Sequence, residues 1–584
     1  MIEKSLFRKK SISRILEDAS KGHLDGELIG LKKTLKVRDL TAFGVAAVVG
    51  AGIFSTIGAA AADGGPGVAL LFIFTGLACG FSALCYAEFA SIAPVSGSAY
   101  TYAYVSFGEL IAWIIGWDLL LEYGIGNVVV AISWSDYFTG FFNEIAGHYG
   151  RHMPEYLTTD YRSAYDGFKA TTDSLQHGAI LSKLSPGLQN SYHAWHEAPR
   201  VGIIPLIMNL PAILITIFVT WLVYIGIRDS KNVNNIMVVI KLTVVLLVIA
   251  VGAFYVNTDN WVPFVPHGLS GIMKGASAVF FAYIGFDAIS TTAEECEDPK
   301  RDLPKGIMYS LIICTILYVA VAFVLTGMTH YSNLRVGDPL SYVFALKGIG
   351  WMHAIVSVSA IVAMASVLLV FQLGQPRIFM AMSRDGLLPK VFSKIHPVYK
   401  TPSFSTILTG FIVVVPTFFL KMDELTDLTS IGTLFAFVLV CGGILMMKDH
   451  PDLQTKRFKV PYVNSQFIVP GLFILTAWIM LQFFPEVLKD YFNFGNSPEG
   501  IGPKLPMLIF IISSIAIVIA SFIKKLSLIP VLGLLSCLYI MTGLGYINWL
   551  RFVIWLVVGL VIYFIYGIKK SKLNSEQSSS ISQQ

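Results

Sequence analysis

Apolar residues fall in long blocks along this chain, separated by short polar stretches rather than alternating with them. A helix needs about twenty apolar residues to cross a hydrocarbon layer. Blocks of that order lie near 38–62, 66–90, 107–142, 202–226, 233–256, 271–294, 304–328, 350–381, 403–420, 425–447, 466–485, 505–523, 526–542 and 547–568. The pattern predicts an all-α polytopic membrane protein with about fourteen transmembrane helices. An even count puts both termini on one side. The chain then divides into an N-terminal segment (1–38), a ten-span core (39–447) with one long polar loop (143–201), four additional spans (448–570), and a tail (571–584). The tail is Ser/Gln-rich and too polar to pack.

Composition agrees with the blocks. Apolar residues make up 55% of the 584 and charged residues 14%, against roughly 25% charged in a soluble domain. Mean hydropathy is +0.68. Soluble enzymes, nucleic-acid binders and secreted disulfide scaffolds are excluded. Charge placement sets orientation: 29 of the 42 Lys and Arg lie on the N-terminal side of the bilayer and 12 on the other, five of those in loop 143–201. Long loops cross regardless of charge, so both termini are expected in the cytoplasm and loop 143–201 outside the cell. The remaining cation is Lys241, inside a span. Cys79, Cys85, Cys314, Cys441 and Cys537 sit in apolar stretches and Cys296 in a cytoplasmic loop, which reads as packing rather than a disulfide framework. The loop histidines, His148, His152, His177, His193 and His196, match no metal-ligand spacing, so a solvated cap is expected there. No nucleotide-binding loop, zinc cluster or nucleophile elbow is present, and the chain is expected to be no enzyme and to carry no metal or cofactor.

Two spans are interrupted. The first reads Val48-Val49-Gly50-Ala51-Gly52-Ile53-Phe54, and the sixth Phe281-Ala282-Tyr283-Ile284-Gly285-Phe286-Asp287. Glycines at mid-membrane lower helix propensity and let the backbone unwind. These spans open two successive five-span units, which must be inverted because five is odd, and matched interruptions in inverted repeats point to a transport site. Where a helix breaks, free N–H groups suit a carboxylate and free carbonyls suit an ammonium. Two breaks side by side suit an α-amino acid.

Four stretches carry a family likeness: Gly50-Ala51-Gly52-Ile53-Phe54; Phe281 to Asp287 with Ala293-Glu294-Glu295 and Asp298 to Pro304; Gly374-Gln375-Pro376-Arg377 through Met382 to Pro389; and Ser430-Ile431-Gly432-Thr433-Leu434-Phe435-Ala436-Phe437. With them the chain resembles the amino acid–polyamine–organocation superfamily, and within it the bacterial members of the cationic amino acid transporter family. The resemblance implies a LeuT-like 5+5 inverted repeat with broken spans 1 and 6. It implies a secondary active permease in the cell membrane. The substrate carboxylate would meet the amides of Ala51 and Gly52 beside Gly50. The amino group would meet the carbonyls of Val48, Phe281 and Ile284, with the Phe281 ring as lid. Shorter bacterial members have twelve spans, so one pair here has no counterpart in them.

The same resemblance makes Lys241 a tethered substitute for a coupling sodium ion, with Ser366 and the Val48–Val49 carbonyls as its partners. A lysine in an apolar medium gives up its proton more readily than one in water, so the proton gradient is the expected driving force. Asp118 and Glu122 share one helix face at i and i+4, and Asp287 follows the second break. These acids favour cationic or broad-range L-amino acids, with Glu122 nearest the substrate. Structural pairing of an acid with Lys241 is the plainer alternative. Glu88, Glu109, Asp136, Glu294 and Glu295 lie near span ends and suit gate or loop contacts. Exchange without proton coupling, or a nutrient receptor that binds without moving its ligand, remain open alternatives. The expected partners are an amino acid and the lipid bilayer, with room for a small membrane subunit and no nucleic acid. Oligomeric state is not encoded.

Overall fold

The computed structural model describes residues 6–10, 35–92, 98–147, 149–226, 231–447, 458–492 and 502–574. Most of the expected N-terminal segment, His148, Arg228, the basic stretch 448–457 and the tail from 575 lie outside the described residues, as do the side chains of Glu294 and Glu295.

Helix occupies every apolar block. The principal helices are α1 (Val37–Val48), α2 (Ile57–Gly64), α3 (Val68–Ile92), α4 (Glu109–Gly147), α5 (Leu210–Tyr224) and α6 (Lys231–Ala253). After them come α7 (Ala276–Phe281), α8 (Pro299–Met328), α9 (Gly350–Arg384), α10 (Ser403–Val414) and α11 (Met422–Met446). The last four are α12 (Ile468–Phe483), α13 (Leu505–Lys524), α14 (Leu528–Thr542) and α15 (Tyr546–Ile562). Among the described residues, seven helical stretches are long and apolar enough to cross a membrane, and six more apolar helices are shorter. Two of the expected blocks join, because Gly52–Ile92 runs as one helical stretch through the Gly65–Gly67 turn. Sheet among the described residues is confined to a hairpin pairing Arg200–Val201 with Ile204–Pro205.

The core lies where α4 packs along α9 and α11, and where α3 packs along α8. Its largest buried side chains include Trp113, Tyr86, Tyr137, Tyr318 and Phe72. The periphery is apolar and uncovered. Only 17% of the most apolar stretch of α13 is buried, and Ile474, Leu481, Ile512 and Ile523 each expose about two thirds of their surface. Apolar surface on that scale is stable only in lipid, so this is an integral membrane protein.

The helices Tyr161–Gln176 and Pro186–Glu197 of loop 143–201 form a hairpin over a small core of Ala164, Ala194, Ala198 and Ile207. Arg162 grips the Glu424 carboxylate at the start of α11 with two bonds of 2.8 and 3.0 Å. Arg551 reaches the same carboxylate at 3.0 Å, and Lys421 pairs with Asp166. That lysine holds the exposed Asp166 carboxyl below its ordinary range. His193 bonds Glu197 and His177 bonds the Asp173 carbonyl. All six cysteines are buried thiols.

Helix α15 is keyed onto α4 by indoles. Trp113 Nε1 donates to the Gly559 carbonyl at 2.9 Å, and Trp117 Nε1 to the Trp555 carbonyl at 2.8 Å. Trp555 Nε1 returns a bond to the Trp117 carbonyl at 3.1 Å. A Cβ on Gly559 would lie 2.6 Å from Trp117 Cγ, with no room to move. Gly559→Val is therefore expected to cost about 1–3 kcal/mol by overpacking and to lower the melting midpoint in detergent. Gly471→Val on α12, where a Cβ meets nothing within 4 Å, leaves the midpoint unchanged.

Candidate functional site

Helix α1 stops at Val48 because Val49 turns extended, with ψ of 90°. The chain passes Gly50 and resumes as a π-turn over Gly52–Thr56 before α2. Such wide turns are rare inside helices and concentrate at functional sites. The second interruption follows α7: Ala282, Tyr283 and Ile284 make a tight turn whose amides bond Val279, Phe280 and Phe281. Gly285 then adopts φ of +112°, and a 3₁₀ helix runs over Phe286–Glu295.

The two interruptions touch backbone to backbone. A Cβ on Gly52 would overlap the Ala282 Cα and lie 2.8 Å from its Cβ. A Cβ on Gly285 would lie 2.9 Å from the Ala47 carbonyl oxygen. Gly50 is less tightly held, its nearest neighbour being Val367 of α9 at 3.1 Å from an added Cβ. The Thr56 hydroxyl lies within bonding distance of the Gly52 carbonyl (2.8 Å) and the Ala278 carbonyl (2.9 Å), one on each broken helix.

A helix that ends leaves its last carbonyls without amide partners, and here other groups reach them. Val45 keeps the Val49 amide at 2.8 Å. Ala46 receives the Lys241 ammonium at 3.2 Å. Ala47 faces Gly285, and Val48 receives the Tyr318 hydroxyl at 2.9 Å. Tyr137 donates to the Phe54 carbonyl at 2.5 Å and Tyr283 to the Phe72 carbonyl at 2.8 Å. Sequence reasoning missed these three tyrosines. Their only signal is a hydroxyl in an otherwise apolar span, which needs a partner when buried.

Lys241 is 2% exposed. Its partner is the Ala46 carbonyl, not the Val48–Val49 pair expected from sequence; the Val48 carbonyl accepts from Tyr318, and Val49 lies past the helix end. Ser366 does not meet it either; its hydroxyl bonds the Ala363 carbonyl of its own helix at 3.0 Å. No carboxylate pairs with Lys241 among the described residues. The plain ion-pair alternative is therefore not what the fold builds.

Asp118 and Glu122 lie along α11. A Cβ on Gly432 would stand 2.8 Å from Asp118 Oδ1 and 3.9 Å from the Glu122 Cβ. The Glu122 carboxyl reaches the Thr433 hydroxyl and feels the Asp287 charge. Asp118 is fully buried, and neither carboxylate oxygen has a hydrogen-bond partner among the described residues. Asp287 is 4% exposed, just past the second break. Phe281 is also buried, at the end of α7, and Ile284 lies within the turn. Val48, Gly50, Ala51, Gly52, Phe281, Ile284 and Asp287 thus belong to one crossing, with Glu122 beside it and Lys241 behind α1. Of the remaining acids, Glu88 accepts the Val460 amide at 2.8 Å. Glu109 accepts from Tyr563 and Ser571 at 3.1 and 2.6 Å.

Apolar helices interrupted in pairs, with charged groups behind the breaks, make this a membrane transporter rather than an enzyme. The chain matches the amino acid permease family over residues 35–498 and the C-terminal unit of that family over 526–571. It belongs to the amino acid permeases, within the amino acid–polyamine–organocation superfamily. It is 38% identical to the branched-chain amino acid permease BcaP of Bacillus subtilis, covering 98% of this chain and 99% of that protein. The methylthioribose transporter of the same organism is 36% identical, covering 98% and 99%. A vacuolar cationic amino acid transporter 4 of Arabidopsis thaliana is 31% identical, covering 93% of each.

The crossing makes a prediction about stability. Gly285→Ala combines left-handed strain, about 1–3 kcal/mol, with the overlap on Ala47. Gly348→Ala has positive φ but open space around the added Cβ. Melting in detergent is expected to show the larger loss at Gly285, and equal losses would mean that the crossing is looser than drawn here.

Proposed function

We propose that this protein is a proton-coupled secondary transporter that carries L-amino acids across the cell membrane. It would cross the bilayer fourteen times as a LeuT-like 5+5 inverted repeat, with both termini in the cytoplasm. The substrate carboxylate binds the amides of Ala51 and Gly52, and its ammonium binds carbonyls of Val48, Phe281 and Ile284. The Val48 oxygen that accepts from Tyr318 keeps a second lone pair for this.

The observation that carries the coupling is the Lys241 ammonium on the Ala46 carbonyl, buried and without a counter-charge among the described residues. A lone buried cation costs several kcal/mol, so loss of its proton relieves the site and loosens α1 from α6. Proton transfer at Lys241 then moves the broken helix that holds substrate. Amino acid exchange and ligand sensing without transport use the same pocket but need no titrating lysine.

Substrate range follows from Glu122 and Asp287, whose negative charge favours cationic or broad-range amino acids. Opposite charges 4 Å apart attract by roughly 4 kcal/mol at an effective dielectric of about 20. A quarter of that is about fivefold in affinity. The similarity to a branched-chain permease and to a methylthioribose transporter favours uncharged side chains or a non-amino-acid ligand instead. Competition among arginine, lysine, isoleucine, alanine and methylthioribose separates these readings.

In proteoliposomes without sodium, an inward proton gradient drives accumulation, and Lys241→Met abolishes it while leaving substrate binding. Sodium-dependent uptake, or accumulation intact in the variant, contradicts the coupling. In competition binding, Glu122→Gln weakens arginine about fivefold or more and leaves alanine and isoleucine near their original affinity. An equal loss for all three assigns Glu122 to the scaffold. Adding a side chain at Gly52 cannot probe the carboxylate site, because Ala282 fills that space; carboxamide analogues, which should fail to compete, probe it instead.

A further inference from the structure

A second cluster of titratable groups lies at the opposite end of α4, away from Lys241 and Glu122. The loop between α8 and α9 carries Gly337 and Asp338, followed by the helix Pro339–Leu346. The Ser55 hydroxyl, in the π-turn of the first broken helix, donates to the Gly337 carbonyl at 2.9 Å. A Cβ on Gly58 of α2 would lie 3.0 Å from Pro339 of the same loop segment. The loop is therefore seated directly on the outer half of the interrupted helix.

On its other side the loop meets α4. A Cβ on Gly337 would overlap the Asp136 carboxylate, and a Cβ on Gly140 would lie 3.1 Å from Asp338 Oδ2. Residues 136 and 140 are one turn apart on one face. The two carboxylates thus share the α4–loop interface, within electrostatic reach of each other. The other groups around them are few. Ser341 Oγ donates to Asp338 Oδ2 at 2.7 Å. His353 of α9 is near Asp338 and bonds Glu144 of α4 at 2.6 Å. Tyr137 of α4 and Tyr342 also lie within reach of the Asp338 charge. Arg335 is engaged elsewhere, with Asp63 and Asp423. The acids are half-buried, so protons can reach them from the adjoining aqueous side.

We propose that Asp136 and Asp338 form a proton-binding site, separate from Lys241, that latches the loop 329–346 over the first broken helix. With one proton between them the carboxylates bond across the interface and the loop stays seated. With none, two like charges at a poorly solvated interface repel, and the loop leaves Ser55. Burial raises the Asp338 carboxyl to about 6, against the lowering pull of Ser341 and His353. The seated state binds the last shared proton more tightly than the released one, so seating is favoured as pH falls and is lost as pH rises past the point where that last proton leaves, above the Asp338 value. That this face is extracellular rests on the orientation proposed above. The latch itself does not depend on Lys241.

The test is a distance between spin labels on the full-length protein in nanodiscs, at Asn333→Cys in the loop and Tyr149→Cys beyond α4. The native thiols are all buried, which leaves the introduced cysteines as the reactive ones. The seated population is expected to fall by up to about tenfold per pH unit above the midpoint. Asp136→Asn and Asp338→Asn should each remove the pH dependence and keep the loop seated at the alkaline pH where the parent loop is released. A distance that ignores pH in the parent, or pH dependence that persists in both variants, overturns the latch. Repeating the measurement in Lys241→Met separates the two proton sites: the latch response survives there if the proposal holds, and its loss overturns the claim of independence.

Discussion

Two interrupted helices cross so closely that neither Gly52 nor Gly285 has space for a β-carbon, and the rest of the site depends on that contact. Were either position to carry a side chain, α1 and the turn after α7 would separate by the width of a methyl group. The hydrogen bonds that span the crossing would then be out of reach. Close packing makes such an arrangement two-valued rather than gradual, because packed backbones either seat or part. That is the property an alternating transport site requires.

The second constraint is the accounting of carbonyls. Backbone that leaves the helical pattern inside an apolar medium must find donors elsewhere. The end of α1 finds them in Lys241 on α6 and Tyr318 on α8, while the Ala47 carbonyl packs against the bare face of Gly285. Each belongs to a different neighbouring element. Movement of any one element therefore changes the hydrogen bonding of the break, so Lys241 and the crossing are linked without a continuous wire of contacts. The outer half is tied in the same manner, through Tyr137 on the Phe54 carbonyl and Ser55 on Gly337.

Much of this was legible in the residues. The glycines at 50, 52 and 285 mark the interruptions because they lower helix propensity at mid-membrane and, at 52 and 285, let the backbones meet. Lys241 stood out because it was the single basic residue that no loop or span end accounts for. Its partner was not legible: whether a lysine meets Ala46 or Val48 depends on where α1 stops, and that is decided by Val49, a residue with no turn signal of its own. Nor was the Ser366 bond to its own helix legible, since a serine in a long helix can satisfy itself on the preceding turn. The tyrosine donors were invisible because an aromatic residue in a continuous apolar run has no periodic signature. Asp136 and Asp338 lie some two hundred residues apart, and only the fold brings them to one interface.

The central claim is that the paired breaks are where substrate binds. A structure determined with an amino acid bound tests it most directly. The account predicts ligand density at the crossing, its carboxylate against the Ala51 and Gly52 amides and its ammonium on the Val48–Phe281 side. Density elsewhere, with both breaks unchanged and unoccupied at saturating ligand, would contradict it.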